Sequence, residues 1–212
     1  MDTKEVLKTG TTTVGVKCKD AIILAADKRA TAGNLIADKK TKKVYLINKQ
    51  MAMTVAGSVS DIQLLAKLIK AELKLKEFRV GRQSNVKEAA NLLSSMVYNN
   101  IRKMSMMPGI SHFLFAGYDK SGFTLYDIFP DGSLTEIDNF VASGSGSVFA
   151  YGVLETLYQD NLSEEEAIKL VTKAINAALQ RDTGSGNGID IVKITKEGTQ
   201  EVLTQEVSVK LN

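Results

Sequence analysis

The order in which hydrophobic periodicity changes along this 212-residue chain most constrains its fold. Strand-like segments come first. TTTVGVKC from Thr11 and AIILAADKR from Ala21 flank a turn at Lys19-Asp20, and KKVYLIN (Lys42 to Asn48) and MAMTVAG (Met51 to Gly57) flank Lys49-Gln50, so two hairpins are predicted. From Ser58 to about Phe78 the period becomes helical, with Ile62, Leu65, Leu68, Ile69 and Leu73 on one face and Lys67, Lys70 and Lys74 opposite. Asn85 with Glu88 three residues on gives a capping-box start for a second helix, which Pro108-Gly109 is expected to end. Three strands follow, HFLFAGYD, FTLYDIFP and SLTEIDNFVAS. A second helix pair then runs over Ser147 to Asp160 and from the Ser163/Glu166 cap to about Arg181, before the closing strands GIDIVKIT and QEVLTQEVSV.

Helices that come in consecutive pairs between runs of strands do not build a parallel doubly wound sheet, which needs strict alternation. They predict an α+β chain with two antiparallel sheets and helices layered outside them, a four-layer αββα sandwich. One domain over 11–212 accommodates every element, preceded by a ten-residue segment (1–10) of different character.

Composition removes several function classes. The 27 Lys and Arg nearly balance the 24 Asp and Glu, giving +3 with no basic stripe, so nucleic acid is not an expected partner. The longest apolar runs, such as Ala21 to Ala26, are too short for a membrane span, and Met1 to Gly10 lacks a signal-peptide core, so a cytoplasmic location is expected. One cysteine (Cys18) and one histidine (His112) cannot furnish a disulfide or an ordinary zinc set, and no cofactor fingerprint stands in a supporting context. Both read as packed residues. A hydrolase built on this chain therefore needs another base.

Gly10-Thr11-Thr12-Thr13 supplies a candidate. Cleavage after Gly10 would leave Thr11 with a hydroxyl nucleophile and a free α-amine, whose pKa of about 7.7 to 8 suits a base near neutrality. Taken alone, three threonines more often simply begin a strand. Asp27 at the end of the second predicted strand and Lys43 at the start of the third are candidates for a buried ion pair beside Thr11, where an ammonium would stabilise negative charge. Gly57 can present an unobstructed backbone N–H. Gly144-Ser145-Gly146 before a helix, and Asp182 and Ser185 after one, are ordinary cap chemistry when taken singly.

The combination TTTVGV, Asp27-Lys28-Arg29, Lys42-Lys43, TVAG ending at Gly57, GSGS from Gly144, YGVLE from Tyr151 and RDTGSG from Arg181 resembles β-type subunits of the 20S proteasome, most closely the archaeal form. The likeness runs from Thr11 to the final strands. It implies the αββα fold of the N-terminal nucleophile hydrolases and a threonine endopeptidase with no metal or cofactor. Residue by residue, it implies Thr11 as nucleophile and base, Asp27 and Lys43 as the charged pair, Gly57 as the oxyanion donor, and Ser145, Asp182 and Ser185 as the groups holding the amine. It implies that Thr31, Gly57 and Val59 bind substrate as an added strand, and that Ala30, Thr41, Tyr45, Val55 and Val59 form an uncharged specificity pocket favouring apolar residues on the acyl side of the cut. Met1 to Gly10 becomes a propeptide, and the uncut chain a zymogen cleaved between Gly10 and Thr11.

The implied partners are six further copies in a seven-membered ring, with two such rings stacked between rings of α-type subunits, an ATPase activator and unfolded protein substrates. Met104, Met106 and Met107 fit such an interface, although methionines of this kind more often fill a core. The bacterial two-ring threonine peptidase is a nearby alternative, disfavoured by chain length and the GSGS, YGVLE and RDTGSG segments. A non-catalytic ring subunit is another, disfavoured by the joint presence of Gly10, Thr11, Asp27 and Lys43.

Overall fold

The computed structural model describes residues 10–106 and 108–207; Met1 to Thr9 of the expected propeptide, Met107, and the end of the last expected strand lie outside them. Two five-stranded antiparallel sheets are stacked. The first has the order β10 (Phe140–Ser143), β1 (Thr13–Lys17), β2 (Ile22–Asp27), β11 (Gly188–Thr195), β12 (Gly198–Glu206). The second is a meander of β5 (Val44–Leu46), β6 (Met51–Gly57), β7 (Ser111–Asp119), β8 (Gly122–Ile128) and β9 (Leu134–Ile137). A separate ribbon pairs β3 (Ala30–Ala32) with β4 (Leu35–Asp38).

Strand alternation divides the apolar residues among three interior layers. Met53, Val55, Phe113 and Phe115 face α1 (Val59–Val80) and α2 (Val86–Ile101). Ile22, Leu24, Leu114 and Leu125 meet between the sheets. Val14, Ile23 and Ile191 face α3 (Ser147–Leu157) and α4 (Glu164–Arg181). The four-layer αββα arrangement is that of the sequence analysis. Both predicted capping boxes form: the Glu88 N–H donates to Asn85 Oδ1 at 2.7 Å and the Glu166 N–H to Ser163 Oγ at 3.3 Å.

Several local expectations are corrected. SLTEIDNFVAS is two strands, because the chain leaves the second sheet after Ile137 and enters the first at Phe140. The β3–β4 ribbon is not predicted from the sequence, because β3 is only three residues long and β4 is exposed at every position. α2 stops at Ile101, well before Pro108. Leu68 lies off the buried stripe of α1, where Ala66 takes its place. Met104 and Met106 are fully exposed, the arrangement an interface would use and a core would not.

Candidate active site

Thr11 and Thr12 lie just before β1, where the end of the first sheet meets the loops before α3 and after α4. The Asp27 N–H donates to the Thr12 carbonyl at 3.1 Å and the Gly146 N–H to the Thr11 carbonyl at 3.3 Å, which fixes the segment on two sides. Thr11 is buried. Its N–H donates to Ser145 Oγ at 3.2 Å, and its own hydroxyl donates to the Gly10 carbonyl oxygen at 2.6 Å. Lys43 Nζ is 3.5 Å from that same oxygen. The Gly10 N–H donates to Thr31 Oγ1 at 2.8 Å. Gly10 also packs on Gly184 so closely that a Cβ on Gly10 would lie 2.0 Å from the Gly184 Cα.

Asp27 is fully buried and accepts four hydrogen bonds. Oδ1 takes the Thr12 N–H at 3.0 Å and Lys43 Nζ at 2.7 Å; Oδ2 takes the Arg29 and Gly186 N–H groups, each at 2.9 Å. A buried carboxylate is tolerated where its lone pairs are met this completely. Lys43 is itself buried, and removal from water holds its ammonium below the ordinary lysine pKa, with Asp27 opposing the shift.

A second carboxylate organises the other side. Asp182 Oδ2 accepts from Ser145 Oγ at 2.7 Å and from Ser185 Oγ at 2.6 Å. Ser185 is 2.6 Å from Thr12 Oγ1. Since the Ser185 proton is directed at the carboxylate, Thr12 is the donor in that contact, and the hydroxyls form a chain that ends on Asp182. Arg29 braces the loop carrying these groups, its Nε donating to Asn187 Oδ1 at 2.8 Å and its Nη1 to the Thr183 carbonyl at 3.0 Å.

Thr11, Lys43 and Gly57 open onto one pocket of ≈ 430 Å³. Ala30, Thr31, Thr41, Tyr45, Val55 and Val59 all line it, joined by Lys42, Ile62 and Gln63, which sequence reasoning did not select. Gly57 has φ +125°, and a Cβ there would stand 2.3 Å from the Ile110 carbonyl oxygen, so no other residue fits. Ser145, Asp182 and Ser185 reach Thr11 through the hydrogen bonds above. Thr12 and Arg29 were also missed, although their adjacency to Thr11 and Asp27 was a usable signal.

Cys18 is half-buried at the far end of β1, its thiol donates to the Ala21 carbonyl at 3.2 Å, and burial raises its pKa, the opposite of what a thiol nucleophile requires. Among the described residues, no three His, Cys, Asp or Glu side chains gather as a metal site, and no helix is long and apolar enough to cross a membrane.

The family model described as "Proteasome subunit" matches residues 7–194. A proteasome subunit beta of Ferroglobus placidus is 46% identical over 198 residues, covering 93% of this chain and 92% of that protein. One from Archaeoglobus profundus is 47% identical over 199 residues, covering 93% and 90%, and one from Methanocaldococcus jannaschii is 46% identical over 199, covering 93% and 87%. The αββα layers, the order of the segments around Thr11 and a similarity spanning nearly the full length of these relatives agree: the chain belongs to the proteasome subunit family, with its N-terminal nucleophile hydrolase sandwich.

Proposed function

We propose that this proteasome core subunit is a threonine endopeptidase, made as a zymogen and cleaved by itself between Gly10 and Thr11. The observation that carries the reading is the placement of the Thr11 hydroxyl 2.6 Å from the carbonyl oxygen of the residue before it, with Lys43 Nζ 3.5 Å from the same atom. In the first reaction Thr11 Oγ1 attacks the Gly10 carbonyl carbon. The C–N bond to Thr11 breaks as the C–O bond forms, and the hydroxyl proton ends on the Thr11 nitrogen. Water then hydrolyses the Gly10 ester, releasing a carboxylate and restoring the hydroxyl. Before this step the Thr11 nitrogen is an amide and cannot act as a base; afterwards it is an amine that can.

In turnover the amine accepts the Thr11 hydroxyl proton as oxygen attacks a substrate carbonyl, and returns it to the departing amine. Water then releases the acyl group from Thr11. Gly57 N–H would stabilise the oxyanion, and the Lys43 ammonium, anchored by Asp27, favours negative charge at Thr11 Oγ1. Ser145, Asp182 and Ser185 orient the amine. Thr31, Gly57 and Val59 would hold the substrate backbone as an added strand. The pocket wall of Ala30, Thr31, Thr41, Tyr45, Val55 and Val59 supports an apolar preference, and the ammonium of Lys42 at its rim is engaged by Glu201 at 2.5 Å. The complex is a seven-membered ring of this chain, stacked in pairs between α-type rings, acting in the cytoplasm on unfolded protein delivered by an ATPase activator.

Intact mass of the full chain before and after mixing with α-type subunits tests the first step: loss of the mass of residues 1–10 is expected in wild type and not in Thr11→Ala. Retention of that segment in an assembled wild-type particle would falsify self-cleavage. Peptide hydrolysis by an assembled Thr11→Ala particle would exclude Thr11 as nucleophile. A cleavage profile dominated by acidic residues would instead assign Lys42 to specificity.

A further inference from the structure

His112 stands on β7 with its side chain in the layer between the two sheets, on the same face as Leu114 and Ala116. Its Nε2 is 2.5 Å from Asp127 Oδ1 on β8, and its Nδ1 is 2.8 Å from Ser143 Oγ on β10. Asp127 and Ser143 are both buried. Because a carboxylate only accepts, Nε2 carries a proton, and in the neutral ring Ser143 donates to Nδ1. The imidazole therefore bridges the second sheet to the first through two directional bonds, within a layer whose surrounding contacts from Leu114, Ala116 and Leu125 are apolar.

The two ends of this bridge belong to opposite walls of the Thr11 site. On the second sheet, His112 is paired with Ala56 and its neighbour Ser111 with Gly57, while Ile110, two residues earlier, supplies the carbonyl against which Gly57 packs. On the first sheet, Ser143 is paired with Thr13 and immediately precedes Gly144-Ser145, whose serine receives the Thr11 N–H. Displacement of one sheet past the other would separate the Gly57 amide from the Ser145 hydroxyl, the two groups that must act on Thr11 together. Lys43–Asp27 ties the sheets on one side of the nucleophile; His112 ties them on the other.

We propose that His112 is a positioning residue of the catalytic site: through Asp127 and Ser143 it sets the spacing between the Gly57 and Ser145 walls around Thr11. The inference rests on the hydrolase reading above. It touches neither substrate nor Thr11, so its loss acts on the rate of the chemical steps and spares the pocket.

The test compares full-length wild type with the Thr11→Ala, His112→Leu, His112→Gln and Ser143→Ala variants, each assembled with α-type subunits and assayed on a peptide with an apolar residue before the cut. His112→Leu and Ser143→Ala are expected to lower kcat by about tenfold, the scale of sub-ångström misplacement, with KM within about twofold of wild type. His112→Gln, whose amide can donate to one partner and accept from the other, is expected to recover most of the rate. Unchanged kcat in both Ser143→Ala and His112→Leu, with wild type active and Thr11→Ala inactive, overturns the inference alone. So does a His112→Leu loss that His112→Gln fails to restore while Ser143→Ala is normal, because that pattern means lost packing. A wild-type particle that leaves the peptide uncut overturns the hydrolase reading and this inference with it.

Discussion

At the scale of single residues, the site is governed by which proton sits where. Thr12 Oγ1, Ser185 Oγ and Asp182 form one donor chain, so Thr12→Val, which keeps the shape and removes the first donor, should lower kcat about fivefold, equivalent to about 1 kcal/mol, and lower the melting temperature by about 2 to 4 °C for the lost buried hydrogen bond. Wild-type kcat in that variant would remove Thr12 from the site. Lys43 makes a pH prediction. In the proposed mechanism it works as the ammonium, and burial lowers its pKa, so the alkaline limb of kcat should begin below the ordinary lysine value of about 10.4. The unfolded chain keeps that proton to higher pH; between the folded and unfolded values this residue's contribution to stability therefore rises with pH while activity falls. An alkaline limb at or above the free-lysine range would contradict the depressed ammonium. Thr11, Asp27, Lys43 and Gly57 were legible because the segments carrying them are distinctive; Thr12 was hidden because a threonine before a strand looks like ordinary strand composition.

Among the elements, the helices were the most legible and the short strands the least. The α2 and α4 starts are written locally, in a capping side chain and a glutamate three residues on. Asn85→Ala should cost about 1 kcal/mol, read as a lower denaturant midpoint with the slope unchanged. Glu88 closes that box and also meets Arg82 and Lys76, which pull its carboxyl down to about 2. Its contribution is thus present at neutral pH and fades as pH falls from the ordinary carboxyl range toward about 2, and because the group and its partners are in reach of water it is small. No difference between wild type and Asn85→Ala would show that tertiary packing alone holds the helix start. β9 and β10 were read as one strand because nothing in SLTEIDNFVAS marks the change of sheet; it is a decision of tertiary packing, with Ile137 joining one layer and Val141 and Ala142 reaching both sides of the other sheet.

Over the whole molecule, the layer between the sheets joins two halves that each have their own helix pair. Leu125 is fully buried there, and Gly15 on the opposing sheet would place a Cβ 3.1 Å from it, so the contact is close-packed. Leu125→Ala should destabilise the protein by about 2 to 5 kcal/mol. Loss should appear as one cooperative transition in both circular dichroism and tyrosine fluorescence, since neither half retains a covered sheet alone. Two separated transitions would mean the halves fold independently. The layer order was legible because segregated strand and helix runs admit few arrangements; the sheet-to-sheet registry was not, since it depends on groups such as His112 and Ser143 that lie 31 residues apart.

The Gly10–Gly184 contact sets the proposed self-cleavage apart from the proposed turnover of substrates. With a Cβ at Gly10 only 2.0 Å from the Gly184 Cα, the residue before Thr11 is admitted for having no side chain, whereas the proposed substrates are chosen for having a large apolar one. Under the proposed self-cleavage the bond-breaking step is intramolecular and runs once per chain, so within an assembled particle it is first order and asks nothing of the apolar pocket that the proposed substrates must fill.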